Sequence, residues 1–207
     1  MQLIWTGANV VLLAQSHNPS IVSPEWLQKY QIVDENPEDF VHTPVFSLFR
    51  SQTFQLLVEQ QRSQFSLRIL NEASLHHLQA ATANYAQLLP HVPYTAVGLN
   101  YAWRGLAERP GEGFELVERL FLSEAGRAWR DHLKGQVRAG MILYQVSESY
   151  RLRLLVEPLL TPEGHLSLDF NYHFDVRSFQ EAIKAVNRLQ DFFKDAQQIA
   201  NRLLGLE

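Results

Sequence analysis

The segment from residue 165 to residue 175 limits the folds open to this chain more than any other part of the sequence. Polar and apolar residues alternate along it without interruption. Successive side chains of a β-strand point to opposite faces, so this strand should bury one face and expose the other. The pattern predicts an antiparallel sheet with one open face. The polar positions are His165, Ser167, Asp169, Asn171, His173 and Asp175.

Two further segments, residues 62–69 and 150–157, divide in the same way, with arginines on the polar side. If the three strands lie in one sheet, these arginines share its open face with the polar side chains of residues 165–175. Guanidinium groups recognise carboxylate or phosphate groups through paired hydrogen bonds. We therefore predict a binding surface there, while a solvated face of mutually compensating charges is the alternative. The predicted surface comprises Arg151, Arg153, Asp169, Asn171, His173, Arg62 and Arg68.

The order of predicted elements indicates an α+β fold. We expect a curved antiparallel sheet built from two β-α-β-β-β-α halves, with helices on one face and a long C-terminal helix. This is a single domain over residues 1–207. The tetrapeptide LLVE occurs at residues 56–59 and again at 154–157, which suggests an internal duplication of about 8–91 and 94–204.

The last predicted helix runs from residue 178 to about residue 204 and is roughly 40 Å long. Ser178 and Glu181 form a capping box at its start. Its broad apolar stripe has two interpretations. The stripe either packs across both halves of the sheet, or its distal end forms a seam between two copies of the chain.

Residues 94–101 (YTAVGLNY) and 168–173 (LDFNYH) are similar to strands of a sporadically distributed family of uncharacterised bacterial proteins. The element order resembles the TATA-binding-protein-like folds, in which two halves join one curved sheet with helices on one face. The resemblance implies no catalytic residues. A helix-grip fold, in which a bent sheet wraps the long helix around a ligand cavity, is the alternative architecture.

Composition excludes several kinds of chemistry. The 207 residues include no cysteine, so disulfides, thiolate metal sites and cysteine nucleophiles are absent. The net formal charge is −4 and the basic residues are scattered, which disfavours nucleic-acid binding even though the fold resemblance alone implies it. No residues combine into a recognisable nucleotide, metal or catalytic motif. We predict no cofactor, no metal and no enzymatic activity.

The apolar run at residues 8–14 is short and no lysine or arginine precedes it, so we interpret it as a strand rather than as a signal peptide. No other apolar stretch approaches the roughly 20 residues that a membrane span requires. A cytoplasmic protein with no membrane partner is expected.

These observations favour a non-enzymatic interaction or adaptor protein. It would bind a protein partner through the polar face or an edge of its sheet, and it would self-associate. The alternative is a small-molecule-binding protein with its ligand between the sheet and the long helix. In that case the ligand would contact Tyr101, Trp103, Tyr144 or Tyr172.

Overall fold

A computed structural model describes residues 1–124, 126, 132–133 and 138–206 of the chain. It confirms the α+β class, with one open antiparallel sheet of nine strands. The strands are β1 (Gln2–Ala14), β2 (Asp39–His42), β3 (Phe46–Arg50), β4 (Phe54–Glu59), β5 (Arg62–Leu67), β6 (Tyr94–Leu106), β7 (Met141–Val146), β8 (Arg151–Pro158) and β9 (Leu166–Asp175).

Three of the described α-helices begin directly after a residue whose side chain caps the first turn. Ser178 accepts a hydrogen bond from the backbone N–H of Glu181, as predicted, and Ser23 accepts one from that of Trp26. None of the described helices is long and apolar enough to cross a membrane. The helices are α1 (Pro24–Lys29), α2 (Glu72–Leu88), α3 (Glu112–Phe121), α4 (Phe179–Val186) and α5 (Leu189–Leu204).

The strands follow the order β2-β3-β4-β5-β1-β6-β9-β8-β7 across the sheet. The sheet is symmetric about the central β1–β6 pair. Strands β5, β4 and β3 on one side correspond to β9, β8 and β7 on the other, and β2 has no counterpart among the described strands. Asn9 pairs with Asn100 at the centre. The two LLVE segments occupy corresponding places in β4 and β8, because Gln55 and Arg153 connect through β5 and β9 to that central pair. The internal duplication, which would explain this symmetry, stays a prediction.

Helices cover one face of the sheet. Helices α2 and α5 both contact β1, and α2 also packs on β5 while α5 packs on β6 and β9. The Phe193 ring of α5 lies between two tryptophans, 4.7 Å from Trp5 and 5.3 Å from Trp103 between ring centroids. Trp103 is buried and the other two side chains are half-buried, so the apolar area that they remove from water helps to hold α5 on the sheet.

The predicted single C-terminal helix is interrupted at Asn187 and Arg188, between α4 and α5. No glycine or proline marks the interruption, and contacts with other parts of the fold lie beside it. The Arg188 guanidinium lies 4.5 Å from the centroid of the Phe192 ring, and the Tyr101 hydroxyl donates to the Leu189 carbonyl at 2.6 Å. The apolar stripe of α5 is buried as far as Leu204, so it packs within its own protomer.

Three elements differ from the sequence prediction. Strand β2 was not predicted, since its short sequence is polar at both ends. The sequence predicts a helix over about residues 114–133, whereas α3 spans Glu112–Phe121, and the Ser123 hydroxyl accepts from the backbone N–H of Gly126 just beyond it. Residues 125 and 127–131 of that prediction lie outside the described residues. The sequence also predicts a strand over residues 136–146, whereas β7 begins at residue 141, and residues 134–137 lie outside the described residues. The helix-grip alternative is wrong, because several helices share the covered face of an open sheet.

Candidate functional site

The open face is the side of the sheet opposite the helices, and three asparagines lie at its centre. Asn9, Asn100 and Asn171 are directly adjacent on β1, β6 and β9. Asn171 Nδ2 donates to Asn100 Oδ1 at 2.6 Å, and Asn100 Nδ2 donates to Asn9 Oδ1 at 2.8 Å. We call these three residues the asparagine row. Their side chains are half-buried, and both hydrogen bonds are donated in the same direction, from Asn171 towards Asn9. Within the described part of the chain, no further hydrogen bond engages Asn9 Nδ2 or Asn171 Oδ1.

The sheet around the asparagine row is lined by small residues, which leave a shallow depression of about 370 Å³. Gly7 pairs with Ala102, and Gly98 lies two residues before Asn100 on β6, on the same face of the sheet. A Cβ atom at Gly98 would lie 3.4 Å from Asn171 Nδ2, so a larger side chain there would crowd the row. The polar side chains around the depression include Asn9, Gln64, Asn100, Arg153, Asp169 and Asn171.

Five of the predicted site residues come together on β8 and β9. Arg151 lies opposite His173 and Arg153 lies opposite Asn171, and Asp169 follows along β9 on the same face. We call these five residues the β8–β9 patch. The patch adjoins the asparagine row, because Asn171 belongs to both.

Within the β8–β9 patch the charged groups differ in their partners. Arg151 Nη2 lies 2.9 Å from Asp175 Oδ1, and His173 Nε2 lies 3.1 Å from the same oxygen. Asp169 accepts a hydrogen bond from the Ser167 hydroxyl at 3.0 Å. Arg153 is exposed, and no described residue accepts a hydrogen bond from its guanidinium. Exposed ion pairs contribute about 0–1 kcal/mol, so these groups remain available to a partner.

The two remaining predicted residues, Arg62 and Arg68, are not part of this patch. Strands β1 and β6 separate β5 from β9, and Arg62 forms an ion pair with Glu59 at 3.0 Å. Arg68 lies beyond the end of β5, where its guanidinium donates to the carbonyl of Ser51 and contacts Glu38. Because β5 ends at Leu67, the alternation of that strand does not extend to Arg68, and its membership of the binding surface stays a prediction.

The four aromatic residues proposed for a small-molecule site do not surround a common space. Tyr101, Trp103 and Tyr172 are buried beneath α5, where aromatic rings fill the space between the helix and the sheet. The Tyr172 hydroxyl donates to Asp195 Oδ2 at 2.7 Å, and burial together with this carboxylate raises the pKa of Tyr172. Tyr144 lies far from them on the exposed strand β7.

No group of three or more histidine, aspartate or glutamate residues in the described part of the chain could hold a metal ion. No protein-family profile matches the chain, and no curated protein is similar to it at a significant level. The resemblance to the uncharacterised bacterial family and the cytoplasmic location therefore stay predictions.

Asn9 and Asn100 are the members of this site that the sequence analysis did not identify. Each interrupts an otherwise apolar strand sequence, ANVVLLA for the first and VGLNYAW for the second. Asparagine is disfavoured in strand interiors, so its presence at both positions was a usable signal. What the sequence does not reveal is that the two positions face each other.

Proposed function

We propose that this chain is a non-enzymatic interaction protein that binds a protein partner through the open face of its sheet. The asparagine row is the observation that supports this proposal most directly. Amide side chains both donate and accept hydrogen bonds. The free ends of the row, Asn9 Nδ2 and Asn171 Oδ1, therefore suit the peptide groups and polar side chains of a protein surface.

The charge pattern beside the row also favours a protein partner. Arg151 and Arg153 lie among the carboxylates Asp169 and Asp175. Nucleic-acid binding depends on cations that neutralise many phosphates, and carboxylates within the site oppose it. A mixed-charge surface instead complements another mixed-charge surface, and this provides specificity more than affinity.

Apolar side chains flank the polar centre of the open face. Leu48 and Leu57 are paired on β3 and β4 and are half-buried, although no described helix covers that side. On the other flank, Leu155 pairs with Ile142. Protein interfaces combine apolar contact area with hydrogen-bonding groups and are enriched in arginine, which matches this arrangement.

The proposal is tested by comparing proteins captured from cell extract by matched variants. Arg153→Glu reverses a charge within the β8–β9 patch, and Asn100→Ala removes the middle of the asparagine row. Arg119→Glu is the control, since Arg119 is exposed on α3 on the covered side. Quantitative mass spectrometry should show the same proteins lost from both open-face variants and retained by the control. If all three variants capture what the wild type captures, the open face is not the binding surface.

A small ligand on the open face is the second candidate, and the depression beside the asparagine row favours it. Its volume of about 370 Å³ falls within the range of roughly 300–1,000 Å³ that is typical of ligand sites. Native mass spectrometry of the purified protein would show a bound mass that Asn100→Ala removes and Arg119→Glu retains. Binding of this kind would replace the partner surface as the function of the row.

A further inference from the structure

Strand β7 is exposed on both faces, unlike the strands in the middle of the sheet. On the open-face side, Val146 is 78% exposed, Tyr144 71% and Ile142 46%. On the covered side Leu143 is 37% exposed, although it pairs with the buried Leu154 of β8. Apolar side chains exposed on both faces of an edge strand are typical of a site that another strand covers.

The opposite edge of the sheet is built differently. Strand β2 is only four residues long, and Asp39 at its start forms an ion pair with Arg50 of β3 at 3.2 Å. Short and charged edge strands are common devices that prevent pairing between molecules. Strand β7 has six residues, MILYQV, with no charge and no proline. The two edges therefore differ in how readily each adds a strand.

The hairpin between β7 and β8 fixes which backbone groups face outward. The backbone N–H of Ser147 donates to the carbonyl of Tyr150, which makes this pair a hydrogen-bonded one. Hydrogen-bonded and non-hydrogen-bonded pairs alternate along an antiparallel ladder. The N–H and C=O groups of Ile142, Tyr144 and Val146 therefore point away from β8. No described strand pairs with them.

We propose that two copies of this chain associate by pairing their β7 strands antiparallel, so that one continuous sheet crosses the interface. Two observations favour a second copy over another partner. The strand is uncharged, so identical strands meet without repulsion. It also exposes apolar residues on both faces. A partner docked on one face would leave the other face uncovered, whereas an identical strand paired along the edge places apolar residues beside those on both faces. A twofold axis between the strands makes this contact self-complementary and closed.

Light scattering after gel filtration tests the proposal over a concentration series of the full chain. Wild-type protein should show a twofold higher molar mass than a single 23.9 kDa chain. Tyr144→Pro removes a backbone N–H that points away from β8, so no hydrogen bond to β8 is lost. Proline is tolerated at such outward-facing positions of edge strands. Tyr144→Lys places like charges near the twofold axis. Both variants should have the molar mass of one chain and a far-ultraviolet circular dichroism spectrum like that of the wild type.

Two controls make the result specific. Leu160→Lys changes a residue of matched exposure, 74%, in the loop after β8 and should stay dimeric. Phe40→Pro alters the opposite edge strand and should also stay dimeric. A monomeric wild type, or a dimer that survives both Tyr144 variants, would overturn the proposal. So would a dimer that Phe40→Pro disrupts while Tyr144→Lys does not.

This inference is independent of the proposed partner surface. Arg153→Glu should leave the molar mass of the dimer unchanged, because Arg153 lies on β8, one strand in from the edge, and supplies no backbone group to the contact between β7 strands. Loss of captured proteins in Arg153→Glu without a change in mass supports the partner surface alone. Loss of the dimer in Tyr144→Lys without loss of captured proteins supports the β7 contact alone.

Discussion

The two faces of the same sheet have opposite characters, and the contrast is clearest at neighbouring residues of β9. The Phe170 ring is buried among aromatic side chains, whereas the next residue, Asn171, donates to Asn100 on the open face. The covered face carries the large buried side chains and the helices. The open face carries hydrogen bonds and exposed ion pairs, which contribute far less to stability. The side chains that stabilise the fold and the proposed partner surface therefore lie on opposite faces of the sheet.

The largest expected effect comes from truncating a buried ring on the covered face. Phe170→Ala removes most of a fully buried side chain and leaves a cavity, so the free energy of unfolding should fall by about 3–5 kcal/mol. Urea denaturation followed by circular dichroism measures this loss. Asn171→Ala is the control on the adjacent residue and should cost about 1 kcal/mol. Equal losses from the two variants would contradict the division of roles between the faces.

A smaller effect is expected from a single hydrogen bond beneath the C-terminal helix. Tyr172→Phe keeps the ring but removes the hydroxyl that donates to Asp195, so the free energy of unfolding should fall by about 1–2 kcal/mol. Asp195→Asn in the Tyr172→Phe background should then cost little more, since the two groups act as a pair. Fully additive losses in this double-mutant cycle would show that the hydroxyl and the carboxylate act independently.

The covered face should also make stability depend on pH through His17. Burial lowers the pKa of His17, and the hydrogen bond between its Nε2 and the Leu12 carbonyl only partly opposes this. The unfolded chain, with a histidine pKa of about 6.5, therefore binds the proton more tightly. The His17 contribution to stability is complete above that pH and is lost as the pH falls below it.

Urea denaturation at about pH 7.5 and about pH 5.5 tests this dependence, since the two values bracket the pKa of unfolded histidine. Wild-type protein should lose more stability between the two conditions than His17→Gln, which cannot titrate. Each unit of difference in pKa between the folded and unfolded states corresponds to about 1.4 kcal/mol. The same pH dependence in wild type and variant would rule out a contribution from this histidine.

The smallest effect on stability should come from the open face. Arg151→Ala removes an exposed ion pair with Asp175, so the free energy of unfolding should change by less than about 0.5 kcal/mol. Differential scanning calorimetry should find the melting temperature close to that of the wild type. A loss above about 1 kcal/mol would mean that the β8–β9 patch has a structural role, and the separation of the two faces would be less sharp.

Much of the β8–β9 patch could be predicted from the sequence, because its members lie on two strands with clear alternation. Arg62 and Arg68 could not be placed in the same way. Alternation shows which face a side chain takes, but it does not show how many strands lie between two segments. Two strands separate β5 from β9, and the ladder of β5 ends before Arg68. Both facts depend on the pairing of strands rather than on the pattern of any one.

The asparagine row shows the same limit more strongly. Its two hydrogen bonds join residues 91 and 71 positions apart in the chain. A shift of one residue in the pairing of β1 with β6 would move Asn9 away from Asn100, although the sequence pattern of each strand would be unchanged. The interruption at Asn187 and Arg188 is similar, since no glycine or proline occurs there and the contacts beside it involve Tyr101 of β6 and Phe192 of α5.

Local patterns in the sequence were enough to predict the α+β class, the helix cap at Ser178 and the faces of β9. These depend on interactions within a few residues, such as strand alternation and side-chain caps. The tertiary structure decided the order of strands, the asparagine row, the break in the last helix and the exposed edge at β7. Those features depend on which distant segments pair, and this choice reflects the combined energy of many contacts rather than any local pattern.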